Sequence, residues 1–390
     1  MSELFLMRDP IQYYAWGSRT ALARMQDRDA PTEEPEAELW IGAHPSAPSE
    51  LLVDGAAVSL EQVLRTSPER VLSPGAGRLA EDGGLPFLLK ILAIDAPLSI
   101  QVHPSREQAR QGWQREEDEG IARDAGHRCY KDRGAKPETV VALTRLEILT
   151  GVRERAELAL LAESLDQQWL REIAEGGQAV LPAVLGLSDD EARTALAELR
   201  TAVTQLPSAD ETRALVEHIW QAHPGDRGLL VALCMNHLVL EPGESMFTPA
   251  GQAHAYLRGT AVEIMECSDN VLRAGLTPKH VDVAELLKVM APEQAPGEPQ
   301  DAPTGPDGLR RYGLWERGLS LVAGSTGPGR ALRLDPATCT VLCTEGTVSL
   351  SAPGTGSLEL PAGHSAWVRA DGAEIEVRGE GTVFAVGLSA

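Results

Sequence analysis

Residues 97–104 read Pro-Leu-Ser-Ile-Gln-Val-His-Pro, with apolar and polar residues alternating from Ile100 to His103. Successive side chains of a β-strand point to opposite faces, so residues two apart share a face. Ile100 and Val102 are therefore predicted to pack into an apolar layer, while Gln101 and His103 project together from the other face. These two polar side chains form either a polar pair at a strand end or half of a metal site.

Short apolar runs separated by Gly and Pro turns fill the first 150 or so residues, a pattern typical of β-rich proteins. A helix is predicted after Pro104, because Ser105 and Gln108 have the spacing of a capping box, and it should end near Glu119. The predicted strands are residues 37–42, 86–92, 98–103 and 139–143.

The apolar period changes to that of helices from about Glu154. Capping boxes at 188–191 and 208–211 each precede an apolar helical face. Strand signals resume at 228–234 and 236–241, and Pro278 is predicted to open one more amphipathic helix, through about residue 289.

A stretch rich in Pro, Gly and acidic residues follows, and the rest of the chain is short strands and turns. We therefore expect a mainly β protein with an α insertion. The expected units are a main β domain (1–153 and 228–290), a helical insertion (154–227), a linker (291–309) and a small C-terminal β domain (310–390).

Composition narrows the possible partners and the cellular location. The 390 residues include 35 basic and 57 acidic ones, and the net charge of -22 argues against nucleic acid and anionic membranes as partners. No signal peptide is evident at the start, and no apolar run approaches membrane-spanning length. The five cysteines are scattered and odd in number, which disfavours a disulfide framework and favours a reducing cytoplasm.

A second informative segment contains Gly243, Pro249, Gly251 and His254 in the spacing Gly-x5-Pro-x-Gly-x2-His. Pro249 and Gly251 predict a tight turn between two antiparallel strands, with His254 starting the second strand and pointing inward. This spacing resembles the second motif of the cupin β-barrels, in which the histidine is a metal ligand.

A carboxylate for the same site is predicted at Glu138, which begins a strand, with Lys136 on the same face two residues earlier. Together with Gln101, His103 and His254 it makes a set of two imidazoles, one carboxylate and one amide oxygen. Such an N/O set suits a divalent ion such as zinc with an open position for water or substrate. The alternative is that Glu138 is a solvated acid at a strand edge, paired only with Lys136.

These segments together resemble the type I mannose-6-phosphate isomerases (phosphomannose isomerases). The resemblance covers most of residues 1–150 and 228–290, and it is much weaker over the last 90 residues. The segments that carry it are Tyr-Ala-Trp-Gly-Ser (14–18), Ala-Glu-Leu-Trp-Ile-Gly-Ala-His-Pro (37–45), Leu-Pro-Phe-Leu-Leu-Lys (85–90), 98–104, Tyr-Lys-Asp (130–132), Lys-Pro-Glu (136–138), 249–256 and 268–279.

The resemblance implies a zinc-dependent aldose–ketose isomerase of cupin fold that interconverts mannose 6-phosphate and fructose 6-phosphate. We expect one Zn²⁺ per chain, a small-molecule sugar phosphate as the only partner, a monomer, and a degenerate cupin-like C-terminal domain. The family's zinc ligands correspond to the four residues above and its active-site arginine to Arg273. Its substrate-pocket positions correspond to Lys136 and Asp269 and, less directly, to Ser99, Lys90 and Trp16.

Several roles stay open at this point. Arg273 could stabilise an enediolate, grip the phosphate or merely pair with Asp269, and Lys136 could act as an acid/base or bind oxygen charge. Trp16 and Trp40 could stack on sugar or pack in the core. His44, His127, His218, His223, His237, His280 and His364 are expected to be structural or at the surface.

One residue departs from the family pattern, because Ala135 stands where the family often has a histidine. We expect that histidine to be dispensable, since every ligand position is retained. The competing functions are an iron-dependent cupin oxygenase and a non-catalytic sugar-phosphate sensor.

Overall fold

The structure, a computed structural model, describes residues 2–73, 84–316 and 318–389 and is mainly β. None of the helices in these ranges is long and apolar enough to cross a membrane. The strands are β1 (Glu3–Arg8), β2 (Ile11–Gln12), β3 (Glu38–Gly42), β4 (Glu50–Val53), β5 (Ala56–Ser59), β6 (Leu88–Ile94), β7 (Ile100–Val102), β8 (Glu138–Ala142), β9 (Leu146–Thr150), β10 (Asn236–Leu240), β11 (Ser245–Thr248), β12 (His254–Met265), β13 (Leu272–Gly275), β14 (Leu309–Tyr312), β15 (Leu319–Thr326), β16 (Leu332–Leu334), β17 (Thr338–Ser351), β18 (Leu358–Pro361), β19 (Ser365–Arg369) and β20 (Ile375–Leu388). The α-helices are α1 (Ala21–Met25), α2 (Leu60–Thr66), α3 (Arg106–Asp118), α4 (Arg155–Ser164), α5 (Gln168–Glu175), α6 (Val180–Leu185), α7 (Asp189–Val203), α8 (Glu211–Ala222), α9 (Gly228–Leu233) and α10 (Val283–Val289).

The long strand β12 organises the sheet that carries the predicted site. Along its length it pairs antiparallel with β7 and β9 near His254 and with β6 and β8 near Met265. The register shifts between Tyr256 and Arg258, and such a bulge increases the local bend and twist of a strand. A strand that changes partners in this way curls its sheet into a barrel-like wall, so the side chains of several strands converge inside.

A second sheet joins the two ends of the chain, in the order β14-β15-β20-β17-β19-β1-β4-β5. In it β1 pairs with β19, with Phe5 opposite Trp367. The sequence analysis assigned residues 3–8 and 50–59 to the main β domain, but their strands belong to the sheet of the C-terminal region. Strand pairing across more than 350 residues leaves no local signal, so the sequence pattern alone could not predict it.

The predicted linker is also held in place, because Gln300 exchanges two backbone hydrogen bonds with Ser245, of 2.9 and 2.7 Å. It therefore lies along the edge of β11, although no regular element forms in it before β14.

Helices fill the region between β9 and β10, as predicted. The capping boxes at Ser105 and Ser188 are both formed, at the starts of α3 and α7. The third one is not: Asp210, and not Ser208, caps α8, and its side chain accepts from the backbone N–H of Arg213. An aspartate directly before the helix competes successfully with a serine two residues earlier.

Two other element predictions are wrong. Residues 228–233 form helix α9 and not a strand, because every residue of α9 is buried and a segment buried on all sides has no helical period in its sequence. Gly228 also lies against the backbone of Leu276, where a Cβ would come within 2.4 Å of the Leu276 nitrogen. The helix expected from Pro278 begins at Val283, capped by Asp282.

The helical layer packs directly on β7. Ile100 and Val102, both fully buried, belong to one apolar cluster with Leu158 of α4 and Leu229 of α9. Because this layer covers the apolar face of β7, the opposite face, with Gln101, is directed into the curled sheet. The helices thus fix which side of the strand faces the site.

We expect Ile100→Ala to lower the free energy of unfolding by about 2–5 kcal/mol, because it leaves a cavity between β7 and the helices. The midpoint and slope of urea unfolding measure this loss. Leu160→Ala is the matched control, since Leu160 of α4 is 67% exposed and should change stability by no more than about 0.5 kcal/mol. Equal losses in the two variants would contradict the packing described here.

Candidate metal centre and substrate cavity

His103, Glu138 and His254 converge inside the curled sheet, and one ligand atom from each lies within 4.8 Å of the others. The Nε2 atoms of His103 and His254 are each 3.2 Å from a different carboxylate oxygen of Glu138. All three side chains are almost completely buried. His103 directly follows β7, while Glu138 and His254 begin β8 and β12, so three elements supply one donor each.

Backbone carbonyls set the tautomer of both imidazoles, because a carbonyl oxygen can accept a hydrogen bond but cannot donate one. Nδ1 of His103 donates to the carbonyl of Asn270 at 2.8 Å, and Nδ1 of His254 donates to that of Gln252 at 3.1 Å. Nε2 of each ring therefore carries the lone pair and faces Glu138. Such hydrogen bonds from the outer ring nitrogen are a regular feature of metal-binding histidines.

Gln101 lies beside this cluster and lines the adjoining cavity. It stands directly opposite His254 in the pairing of β7 with β12, and opposite Arg273 in the pairing of β7 with β13. Directly opposed residues of antiparallel strands have neighbouring side chains on one face. The strand registers therefore bring Gln101, His254 and Arg273 to the same side of the sheet.

The charge states suit metal binding. Burial acts to raise the pKa of Glu138, but Lys136 and His103 outweigh it and hold that pKa well below its usual range. Burial, reinforced by Lys136, lowers the pKa of His103 to about 4. An ionised carboxylate and neutral imidazoles are the forms that bind a metal. With the amide oxygen of Gln101, this donor set fits zinc.

Lys136 reaches the same cluster from the segment before β8. Its Nζ is 2.6 Å from Oε1 of Glu138 and 3.4 Å from Nε2 of His103. The side chain is buried and lines the cavity. The alternative in which Glu138 is a solvated edge acid does not hold, because Glu138 is only 2% exposed.

A cavity of about 580 Å³ opens from this cluster toward solvent. One wall carries a buried charge network, in which Nζ of Lys90 is 3.2 Å from Glu38 and 3.6 Å from Glu263. The same Nζ lies 5.2 Å from the ring centre of Trp40, whose indole N–H donates to Glu38. One face of Trp40 is therefore covered by a lysine.

Glu263 is a site residue that the sequence analysis missed. It is 3% exposed, and burial together with Glu138 raises its pKa to about 7, against the opposing effect of Lys90. The available signal was a single acid in the otherwise apolar run 261–265, a position that is costly unless partners are present.

Two further cations line the cavity, Arg273 and Lys279. Neither forms a salt bridge within the described ranges 2–73, 84–316 and 318–389. Burial lowers the pKa of both, and Arg273 lowers that of Lys279 further. Arg273 does not pair with Asp269, whose carboxylate lies 3.4 Å from Nε2 of His44 instead.

The other predicted substrate-contact residues also line the cavity. Ser99 and Trp16 line the cavity, and Trp16 stacks on Tyr14 with ring centres 5.8 Å apart. His44 and His223, expected to be structural or at the surface, also line it; His223 donates to the carbonyl of Pro97 at 2.9 Å. Recognising these two would have required knowledge of the tertiary fold.

The curled antiparallel sheet and its inward N/O donor set define a cupin-type metal site. Residues 4–155 match the family model "Phosphomannose isomerase type I, catalytic domain". The mannose-6-phosphate isomerase of Escherichia coli K12 is 33% identical, over 96% of this chain and 97% of its own length. The human enzyme of that name is 30% identical over 90% of each chain. This chain belongs to the mannose-6-phosphate isomerase family.

The solved structures agree with this assignment. The crystal structure of a zinc-bound mannose 6-phosphate isomerase superimposes with a TM-score of 0.89 at 31% identity, covering 99% of this chain and 100% of that one. The likeness thus extends over the whole fold, including the C-terminal region where the sequence motifs are weak.

Glu138→Gln is expected to weaken zinc binding at least about 100-fold, since loss of even an outer partner of a ligand costs about 10- to 100-fold. Competition with a chromophoric chelator measures the affinity. Glu263→Gln is the matched control, because it removes a second buried acid of the same cavity and should keep one zinc per chain. Unchanged zinc affinity in Glu138→Gln would exclude this residue as a ligand.

Proposed function

We propose that this protein interconverts D-mannose 6-phosphate and D-fructose 6-phosphate. The observation that carries the proposal is the content of one cavity: a three-residue metal cluster, a buried acid whose pKa is raised to about 7, and two cations that form no salt bridge with a described residue. These groups can polarise a sugar oxygen, move a proton and hold a phosphate, as an aldose–ketose isomerase of a phosphorylated sugar does. The relatives of this chain carry the name of that activity.

Arg273 and Lys279 are suited to hold the phosphate. Neither forms a salt bridge with a described residue, and the acids Glu38 and Glu263 are each within 4 Å of Lys90 instead. A guanidinium presents a planar fork of donors that matches phosphate oxygens, and a lysine adds a point charge. Holding the phosphate there leaves the sugar carbons to extend toward Glu138 and Glu263.

Glu263 is our candidate for the base that moves the proton between C1 and C2. A general base is most effective when its pKa is near the working pH, and burial raises the pKa of Glu263 to about 7. The nearby ammonium of Lys90, 3.6 Å away, can donate to a substrate oxygen. The protonated Glu263 then returns the proton to the neighbouring carbon.

Gln101, His103, Glu138 and His254 would hold the zinc ion. When bound, zinc supplies a Lewis acid that polarises a sugar oxygen or lowers the pKa of a water molecule. Lys136, next to Glu138, can hydrogen-bond the oxygen on which negative charge develops as the proton leaves carbon. We assign Lys136 and Glu263 to catalysis, and Ser99, Asp269 and Trp16 to contacts with the substrate.

Ala135 need not impair this chemistry. It is 8% exposed and does not belong to the described residues that line the cavity. The proton-transfer and phosphate-binding roles above are all met without a histidine at this position. This supports the view that the family histidine is dispensable here.

We also infer a cytoplasmic monomer. All five cysteines are free, and Cys234, Cys339 and Cys343 are buried, as suits a reducing compartment. Sedimentation equilibrium of the zinc-loaded protein tests the monomer, and a dimer mass would refute it.

A coupled assay with mannose 6-phosphate tests the proposed reaction. We expect turnover by the zinc-loaded protein, loss of activity on chelation, recovery with added zinc, and no uptake of dioxygen. Binding of the sugar phosphate without turnover would instead identify a sensor. Dioxygen consumption with iron would identify an oxygenase.

Glu263→Gln should lower kcat by about 100- to 10,000-fold, the usual contribution of a general base. In the parent enzyme a base must be deprotonated, so kcat should fall as the pH drops below the pKa of Glu263. A bound cation near Glu138 lowers that pKa, so the acidic decrease in kcat is expected at or below pH 7. A pH profile of kcat measures this decrease. If Glu263→Gln has a normal kcat and the same decrease at low pH, Glu263 is not the base.

Arg273→Ala should raise KM about 10- to 150-fold with little change in kcat, the loss of a charge-assisted contact of about 1.5–3 kcal/mol. Arg273→Lys keeps the charge and should recover part of the affinity. Steady-state kinetics separates the alternatives, because a fall in kcat at unchanged KM would mean that Arg273 stabilises the enediolate.

A further inference from the structure

A second cavity, of about 770 Å³, lies between the two sheets. The site sheet contributes Ala142, at the end of β8, and Gly243, before β11. The C-terminal sheet contributes residues of β14, β15, β17 and β20. Glu138 begins β8 and Ala142 ends it, so a strand of five residues, about 13 Å along the backbone, separates the metal cluster from this second cavity.

Three arginines line the second cavity, Arg24, Arg310 and Arg330, against a single acid, Glu345. None of the three arginines forms a salt bridge with a described residue. Their neighbour Arg311 does, with Asp307, because successive residues of β14 point to opposite faces. A local excess of two positive charges is unusual in a chain whose net charge is -22.

Glycines provide the space for two of these guanidinium groups. A Cβ at Gly243 would overlap Nη1 of Arg310, and one at Gly308 would lie 2.7 Å from Nη2 of Arg330. Both glycines have positive φ, +92° and +83°, which other residues rarely adopt. Tight turns on both sides of the cavity thus hold the arginines in place.

Hydroxyl groups complete a polar lining. Ser325 and Thr382 lie 3.0 Å apart on neighbouring strands, and Thr304 accepts from Nε of Arg310 at 3.4 Å. Tyr312 and Phe384 also line this cavity and stack with ring centres 6.2 Å apart. Guanidinium and hydroxyl donors together with aromatic rings suit a small organic molecule that carries a phosphate.

We propose that the second cavity binds a phosphate monoester, at a site separate from the metal centre. Arg310 and Arg330 hold the phosphate, and the hydroxyl groups of Ser325 and Thr382 bind the organic part. The position between the sheets means that the ligand contacts both and holds them together. This binding does not depend on the isomerase reaction proposed above.

The test uses the zinc-loaded protein with AMP as the probe. Adenosine, which lacks the phosphate, is the uncharged control ligand. Calorimetry in the Arg273→Ala background weakens phosphate binding at the catalytic cavity, so AMP binding that persists there and depends on Arg310 and Arg330 reports the second cavity. We expect AMP but not adenosine to bind there, more weakly as salt increases. Absence of AMP binding at millimolar concentrations in this background would overturn the proposal.

Variants locate the site. Arg310→Gln and Arg330→Gln, each in the Arg273→Ala background, should weaken AMP binding about tenfold or more, the contribution of one charge-assisted hydrogen bond. Arg311→Gln is the matched control, since it makes the same charge change on the same strand and should leave AMP affinity unchanged. Arg330 is exposed, so its variant tests the site even if Arg310→Gln fails to fold. Equal affinity in Arg330→Gln and Arg311→Gln would overturn the assignment.

Discussion

The packing of the helical layer on β7 is the interaction on which the site depends. Ile100 and Val102 are fully buried against the helices, and this leaves only one direction for the polar face of the strand. A shift of one residue in register would move the polar side chains of β7 into an apolar core. The helices therefore do more than stabilise the protein, because they fix the metal cluster at the inner face of the sheet.

The buried charges inside the sheet depend on one another. Three carboxylates, Glu38, Glu138 and Glu263, share the interior with the ammonium groups of Lys90 and Lys136. Burying any of these charges alone would be strongly unfavourable, so each depends on its partners. The same environment moves the pKa values of two of these acids apart, below the usual range at Glu138 and up to about 7 at Glu263. Such a separation suits one acid to metal binding and the other to the proposed role of accepting and returning a proton.

Local patterns in the sequence correctly predicted the structural features that are determined by residues close together in the chain. Alternation placed Gln101 beside the cluster, and capping boxes located α3 and α7. Features that depend on distant residues were not visible, such as the pairing of β1 with the C-terminal region and the burial of α9 on all sides. Glu263 is an intermediate case, because an acid in an apolar strand marks a special position, although its partners come from other strands.

The net charge of -22 places a further demand on the substrate cavity, since a dianionic sugar phosphate is repelled by the protein as a whole. At physiological ionic strength charges are screened beyond about 8 Å, so cations in contact with the phosphate outweigh distant acids. Arg273 and Lys279 can have this effect only while no acid of the protein neutralises them. The pairing of Asp269 with His44, and of Glu38 and Glu263 with Lys90, keeps the acids of the cavity occupied. For the proposed phosphate site, the arrangement of the acids is therefore as important as the two cations.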